Sequence, residues 1–578
     1  MYNLLRNRVN RERKKLAKVY YLNKLDDLKS VNPRNWWSII KDITGQKKKR
    51  NDLQCVADLL SDGDMSKLTE LLNDAFASVS APLTPIAPSD NFAPPTGHLE
   101  DKYIVPIDAV KKQLAGVKCS KASGPDDIPN WLLKDNAGTL GAPVACIINS
   151  SLREGYVPPL WKSADVCPLP KVSQPTNIHK DFRPISLTPV LSKIAEKFVR
   201  DTMLDVINDS LDPRQFGSLK GTSTVMALVE MYHQWVTALD KPGRIVRILL
   251  LDFRKAFDLV DHAILLQKLV HTGAPDFLVN WTASFLCQRQ QRVKIAKDVS
   301  PWSVLNAGVP QGTLLGPVCF LLHINDLKTS CDTYKYVDDS TAWEVCSGKH
   351  IGDSKIQNAA DDAIKWSNDN NMKLNSDKTK EILVDFRRKK QHVPEITMGE
   401  VTIERVKSAK LLGVHISNDL KWDEHVNYIC QKGSKRLYFV RVLKRSGVSA
   451  NDLVKIFCVT IRSVLEYACE LWHPGLTQCQ SAKIESLQKR AMKIIFPSES
   501  YDIALNLANV PLLETRREEA CRTFFGHITK PEHKLHHLLP TPRSSQHHLR
   551  TISKFPLPKI RTERVRQSVI NYGLFKFQ

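Results

Sequence analysis

The spacing of apolar positions changes character along this chain. Residues 1–50 read as basic helix, with Tyr20, Tyr21, Trp36 and Trp37 set among the cations, and Leu59–Val79 reads as a second helical stretch. Pro82, Pro85, Pro88, Pro94 and Pro95 then block helix and stiffen the chain, which predicts a linker over Ala81–Pro95 and a domain boundary near residue 100. From 101 to 417 short β-branched runs alternate with helical periods, as in a mixed α/β region. Ile245–Leu251 is apolar throughout and of strand length, so it predicts a strand buried on both faces. It stops at Asp252, ahead of a helical pattern carrying Ala263, Ile264, Leu265, Leu266 and Leu269. Tyr334, Tyr336 and Val337 on one side of Asp338-Asp339, and Thr341, Ala342, Trp343 and Val345 on the other, predict a β-hairpin with acids at its tip. Beyond 418 helical spacing dominates, in Asp423–Leu443, Asn451–Leu471 and Lys483–Ile495. No tandem repeat is present.

Composition adds a charge map. The formal charge of +22 is concentrated at the ends: residues 1–50 carry +11 and residues 516–578 carry +9, leaving +2 for everything between. Basic flanks around a balanced centre suit a protein that grips phosphate at its ends, although solvated basic tails would give the same totals. Thirteen cysteines, an odd number without regular spacing, favour a reducing compartment over secretion. No run approaches the roughly 20 apolar residues of a membrane span, and no secretory leader opens the chain. The expectation is a soluble, intracellular protein with no membrane partner.

The chemistry lies in three segments of the centre. An acid at a strand end is a common catalytic placement in α/β folds, but an Asp after an apolar strand, taken alone, is more often a cap or turn residue. Asp338-Asp339 gains meaning from its setting. The same dipeptide at Asp26-Asp27, Asp126-Asp127 and Asp361-Asp362 lies in polar helix or turn sequence. Adjacent acids at a tight turn repel one another, and a bound cation would remove that cost. Between the two acidic elements, Gly308–Pro317 (GVPQGTLLGP) combines glycines that permit close backbone approach with Gln311, whose amide can donate to and accept from a nucleotide. Together these suit two-metal nucleotidyl transfer, in which carboxylates from separate elements hold divalent ions against attacking and leaving oxygens.

Further motifs stand around these segments in a fixed order. KASGPDDIP (121–129), LWKSADVCPLPK (160–171), DFRPISL (181–187) and QFGSLKGTSTVMAL (215–228) precede them. WSNDNNMKLNSDKTK (366–380) and LLGVHIS (411–417) follow, then EYACELWHP and IESLQKRAMKII within the helical region. The set, spanning roughly residues 100–500, resembles the reverse transcriptase of non-LTR (LINE-type) retrotransposons, in particular the jockey-like elements. The resemblance implies an α+β right-hand polymerase with fingers and palm, the palm sheet antiparallel, followed by a helical thumb. The implied divisions are a basic extension and linker at 1–100, a finger extension at 101–150, fingers and palm at 151–417, thumb at 418–500 and a basic His-rich region at 501–578. It implies Asp252, Asp338 and Asp339 as catalytic acids, with two Mg²⁺ ions held by Asp252, the Phe253 carbonyl and Asp338. Phe257 would be the sugar gate, Lys171 and Arg183 would meet the triphosphate or template, Gln311 and Gly312 would line the nucleotide site, and Lys378 would serve as general acid. RNA template, DNA primer or target and dNTPs are the implied partners, with a nuclear site of action or a cytoplasmic ribonucleoprotein; the Lys47-Lys48-Lys49-Arg50 run fits a nuclear signal.

The hairpin reads YVDD where most relatives read FADD, and the loop reads PQGT where PQGS is commoner, so Val337 and Thr313 bear on rate and fidelity. Cys458, Cys469, His473 and Cys479, and separately Cys521, His527, His533 and His536, lack the paired short spacing of a strong zinc site. The first set reads as core cysteines, and the second, with His547-His548, as contact to a nucleic acid backbone. No endonuclease pattern precedes residue 100 and no ribonuclease H pattern follows 500, which suggests a truncated element or incomplete gene model with an endonuclease acting in trans. Two other readings share these motifs: an idle or domesticated nucleic-acid-binding remnant, and a group II intron maturase, against which the jockey-like wording speaks.

Overall fold

The computed structural model describes residues 1–29, 51–87, 90, 92–94, 97–172, 174–347, 351–543 and 554–578. Trp36, Trp37, the basic run 47–50, Pro88, Pro95 and His547-His548 lie outside the described residues, as do the side chains of Tyr20 and Tyr21. The chain forms a mixed α/β structure with antiparallel and parallel strand pairs.

The Ile245–Leu251 run forms the middle strand, Arg244–Leu251, of a five-stranded sheet. It pairs antiparallel with Asp339–Ser347 on one side and Lys380–Asp385 on the other; Asp332–Tyr336 and Glu404–Arg405 are the edges. Side-chain alternation explains its unbroken hydrophobicity. Val246 and Ile248 join the core made by helix Thr224–Leu239 and the helices beyond 420, whereas Leu249 and Leu251 pack on Ile356, Ala359 and Ala360 of helix Ile356–Asp369. Arg247, on the same strand, is buried with Glu381 (2.7 Å), whose other oxygen takes Arg405 at 2.8 Å. A carboxylate shared by two guanidinium groups keeps this desolvated end of the sheet paired.

A second sheet sets Ser163–Pro170 antiparallel to Phe182–Leu187 and parallel to Gln290–Ile295. Helix Met65–Ala77 covers it, Leu68 and Leu72 meeting Val166, Phe182, Val293 and Ile295. Asp64 caps that helix by accepting from the Ser66 and Lys67 N–H groups, which fixes where it begins. The segment expected as a Pro-rich linker packs as well: Ile86 is buried in one core with Leu152, Trp161 and Trp281. Proline forbids helix there, but it does not forbid burial.

Beyond 420 the helices Asp423–Arg445 and Gln478–Ile495 match the expected periodicity. The expected helix Asn451–Leu471 is interrupted, by a π-turn at Cys458–Arg462 and by Ala468 at φ 53°. The β-branched run Val459-Thr460-Ile461 crowds the preceding turn and favours such a break. Helix Leu513–Ile528 shares one core with these helices, as do Leu535, Leu539, Phe555 and helix Val569–Lys576, so residues on both sides of 500 fold together. Among the described residues no helix is long and apolar enough to cross a membrane.

Candidate active site

Asp252 ends the middle strand and is fixed on all sides. Its carbonyl accepts the Asn375 N–H (2.8 Å), its carboxylate accepts the Asn375 amide (2.9 Å), and Lys378 Nζ stands 3.9 Å from the same oxygen. Phe253, next in line, bridges to Leu374 and meets Trp366 edge-on at 5.9 Å. The WSNDNNMKLNSDKTK motif thus acts as a backing that orients Asp252.

The predicted hairpin forms, Tyr336 pairing with Asp339 around a two-residue turn of Val337 and Asp338. Val337 adopts φ 59°, a costly conformation for a β-branched residue that persists only when its surroundings impose it. The QFGS motif imposes it. Arg214–Gly217 runs beside the hairpin, with Phe216 N–H donating to the Lys335 carbonyl (2.9 Å) and Lys335 N–H to that of Arg214 (3.0 Å). Gln215 Oε1 accepts from the N–H groups of Gly217 (2.7 Å) and Val337 (3.4 Å). Only glycine fits at 217, since a Cβ would lie 2.4 Å from the Val337 nitrogen. The two acids reach solvent, and among the described residues no basic side chain pairs with either. The walls around the turn limit hydration of Asp339, and Asp338 and Asp252 add repulsion, so its carboxyl is pushed up to about 6; Asp338 shifts the same way.

The Gly308–Pro317 loop docks between the second sheet and the turn Ala256–Leu259 that follows Asp252. Gly312 sits at φ 131° with its α-carbon against Ser186, where a Cβ would meet the Ser186 carbonyl at 2.5 Å, and the Ser186 N–H donates to the Gln311 carbonyl at 2.7 Å. The Gln311 amide donates to Asp258 (3.0 Å), and the Phe257 ring lies on Phe320 with centroids 4.8 Å apart. Strand register places Arg183 opposite Leu169, close to Lys171. Desolvation, then Arg183 and Lys378, holds the Lys171 ammonium below its ordinary range, a clustering of cations that an anionic ligand would relieve.

These parts converge on one cavity of about 520 Å³. Asp252, Phe253, Asp338, Lys171, Arg183, Phe257, Gln311, Gly312 and Lys378 all line it; of the expected site residues only Asp339 does not, since it lies one residue past the turn. Sequence reasoning missed four contributors. Asp258 holds Gln311, Asn375 orients Asp252, and Phe76 brings helix Met65–Ala77 to the cavity wall. Glu196, fully buried, accepts the N–H groups of Leu314 (2.7 Å) and Leu315 (3.2 Å). Asn375 lies within a motif already singled out and Asp258 six residues past Asp252; Phe76 and Glu196 carry no local signal.

Neither Cys/His set assembles. Among the described residues no three His, Cys, Asp or Glu side chains gather closely enough to hold a metal by themselves. Cys469 and Cys521 are buried in the helical core, His473 pairs with Glu518 at 3.3 Å, and His536 bonds the Ile528 carbonyl at 2.9 Å.

Acids at the ends of two antiparallel strands of one sheet, faced by cations from a second sheet, form an arrangement suited to nucleotidyl transfer. Residues 169–416, which build it, match the family described as reverse transcriptase (RNA-dependent DNA polymerase). The chain is 27% identical over 439 residues to the probable RNA-directed DNA polymerase from transposon X-element of Drosophila melanogaster, covering 74% of this chain and 47% of that protein. It is 26% identical over 411 residues to the RNA-directed DNA polymerase from mobile element jockey of the same species, covering 68% and 44%. For the probable polymerase from transposon BS, also of Drosophila melanogaster, the figures are 24% over 433 residues, 72% and 47%. The chain carries a reverse transcriptase domain over residues 169–416 and is similar to these polymerases of mobile elements, and it spans about half the length of the curated relatives it matches.

Proposed function

We propose that this chain is an RNA-directed DNA polymerase that extends a primer 3′-hydroxyl with dNTPs on an RNA template. The observation that carries this reading is the single cavity in which Asp252 and Asp338 face Lys171, Arg183 and Lys378. In this reading the second sheet forms the fingers, the five-stranded sheet the palm, and the helices beyond 418 the thumb. Asp252, the Phe253 carbonyl and Asp338 would hold two Mg²⁺ ions, with Asp339 completing the acidic set. The fit rests on the donors: hard carboxylate oxygens, mutually repelling and without basic partners at the turn, which leave substrate phosphate oxygens to complete the coordination. Bound there, the metal supplies charge that eases deprotonation of the 3′-hydroxyl and neutralises the triphosphate.

The chain's own residues do the rest. Lys171 and Arg183 bind the triphosphate, and the Gly312 backbone lets the nucleotide approach closely. Lys378, mostly exposed yet 3.9 Å from Asp252, is placed to give a proton to the departing pyrophosphate. Phe257, held by Phe320, presents a ring edge that a ribose 2′-hydroxyl would strike. Phe257→Ala is expected to lower discrimination against ribonucleotides by about 10- to 100-fold, the range one steric contact supplies. The ratio of kcat/KM for dNTP and rNTP measures it, and an unchanged ratio would remove Phe257 from this role.

Primer extension on RNA by the full chain tests the function itself. Activity is expected to vanish with chelator and to return with Mg²⁺. A protein that binds primed RNA yet incorporates nothing under any divalent metal would refute the polymerase reading and leave a binding remnant.

A further inference from the structure

The turn at Val337-Asp338 is braced by a part of the chain far outside the matched segment, which ends at residue 416. Lys534 Nζ donates to the Gln215 carbonyl at 2.5 Å and lies 4.2 Å from the Phe216 ring centroid. Gln215 is fully buried, and its side-chain oxygen is the acceptor for the Val337 N–H. Three residues on, His537 Nε2 stands 3.5 Å from Glu230. That buried carboxylate accepts the hydroxyl of Tyr334, on the first strand of the hairpin, at 3.0 Å. Tyr334 in turn stacks on Phe216 with centroids 6.3 Å apart. Both contacts come from the short segment Lys530–Leu539, pinned in the helical core by Leu535 and by the bond from His536 to the Ile528 carbonyl.

We infer that Lys534 and His537 are positioning residues for the catalytic hairpin, acting through Gln215 and Glu230 respectively. Val337 holds a strained conformation, and strain of this kind is kept only by over-determined surroundings. Arg214–Gly217 supplies the immediate clamp. That segment lies at the sheet's edge beside Asp332–Tyr336, so what presses on its other side decides how firmly it holds. The cation of Lys534 does this twice, by a charge-assisted hydrogen bond to Gln215 and by its place over Phe216. The His-rich C-terminal region, expected to contact nucleic acid, thereby gains a structural task inside the protein. The inference rests on the polymerase reading for its meaning in catalysis, but the brace can be measured without catalysis.

Hydrogen exchange of the full chain, free of metal and RNA, provides that measurement. In Lys534→Met, amides of residues 335–339 are expected to exchange about tenfold faster than in the parent, because their opening no longer breaks the brace. His537→Ala is expected to act in the same direction at Tyr334 and Lys335. Lys530→Met, at an exposed position of the same segment, serves as control. In the polymerase assay Lys534→Met is expected to lower kcat with dNTP KM and RNA affinity kept, and Lys534→Arg to restore it. Unchanged exchange at the hairpin overturns the proposal. So does acceleration that appears equally in the strand Ser163–Pro170, which would mark a general loss of stability. If exchange responds but no variant or parent polymerises, the brace stands and the polymerase reading falls.

Discussion

Asp338→Ala is expected to reduce primer extension by on the order of 10³-fold or more, about 4 kcal/mol of transition-state stabilisation, while leaving the fold intact or slightly firmer. The two halves of this expectation have one cause. Asp338 stands at a turn with Asp339 beside it and Asp252 across the cavity, and among the described residues no basic side chain forms a salt bridge with it, Arg183 acting on its charge from farther off. Limited hydration first, and then the Asp252 charge, raise its pKa above the ordinary carboxylate value against the pull of Arg183, so its ionised form is disfavoured in the metal-free folded protein relative to the unfolded chain. Removing that charge relieves repulsion, and a melting temperature equal to or above the parent's should accompany the loss of activity. A structural acid would behave oppositely. Asp385, bonded to the Arg387 side chain and N–H, has its carboxyl held below the ordinary range, and its removal should cost stability without touching catalysis. Single-turnover extension and a thermal melt on the same preparations separate the cases. An Asp338→Ala protein that extends primers at more than about a tenth of the parent rate would end the assignment of Asp338 as a metal ligand.

What could be read from sequence divides along the range of the interactions. The Arg244–Leu251 strand and the acidic hairpin were legible because a continuous apolar run and a two-residue alternation are local patterns, and local pairing satisfied them. The cavity lining was legible through resemblance, because the residues that meet there lie within short motifs whose order is fixed. The Pro-rich stretch was misjudged in part, since proline content reports on backbone conformation while burial of Ile86 depends on a surface formed by residues near 150 and 280. The interruption of the Asn451–Leu471 helix depends on a β-branched triplet that propensity penalises only mildly. Least legible were the supports. Lys534 reaches Gln215 across 319 residues, and the acid at 196 meets backbone N–H groups 118 residues away; no pattern in either neighbourhood announces such a contact.

Glu196 carries the second large expectation. It sits on helix Val190–Ile207, fully buried, with one oxygen accepting the Leu314 and Leu315 N–H groups and the other the Ser192 hydroxyl at 3.1 Å. The two amides lie at the N-terminal end of helix Gly316–Ile324, where N–H groups lack intrahelical partners. Arg289, equally buried, lies close enough to steady the charge, while burial pulls its own guanidinium down to about 10. Glu196→Ala would strip the amides of their acceptor and leave the Arg289 cation buried without its counter-charge. The expected cost is about 3–5 kcal/mol, as for stripping two buried N–H groups of their acceptor and removing the charge that offsets a nearby buried cation. Glu196→Gln keeps an acceptor oxygen and should cost less, about 1–3 kcal/mol. The double variant Glu196→Leu/Arg289→Met removes both charges, and it should recover most of the stability lost by Glu196→Ala. It should not recover function, because Leu314 and Leu315 follow directly on the Gln311-Gly312 segment and would still lack the group that anchors them. Urea unfolding of the three variants, followed by hydrogen exchange over residues 308–317, distinguishes the charge effect from the anchor. If Glu196→Ala unfolds within about 0.5 kcal/mol of the parent, or if the double variant restores loop protection, then the carboxylate does not hold the nucleotide loop in place.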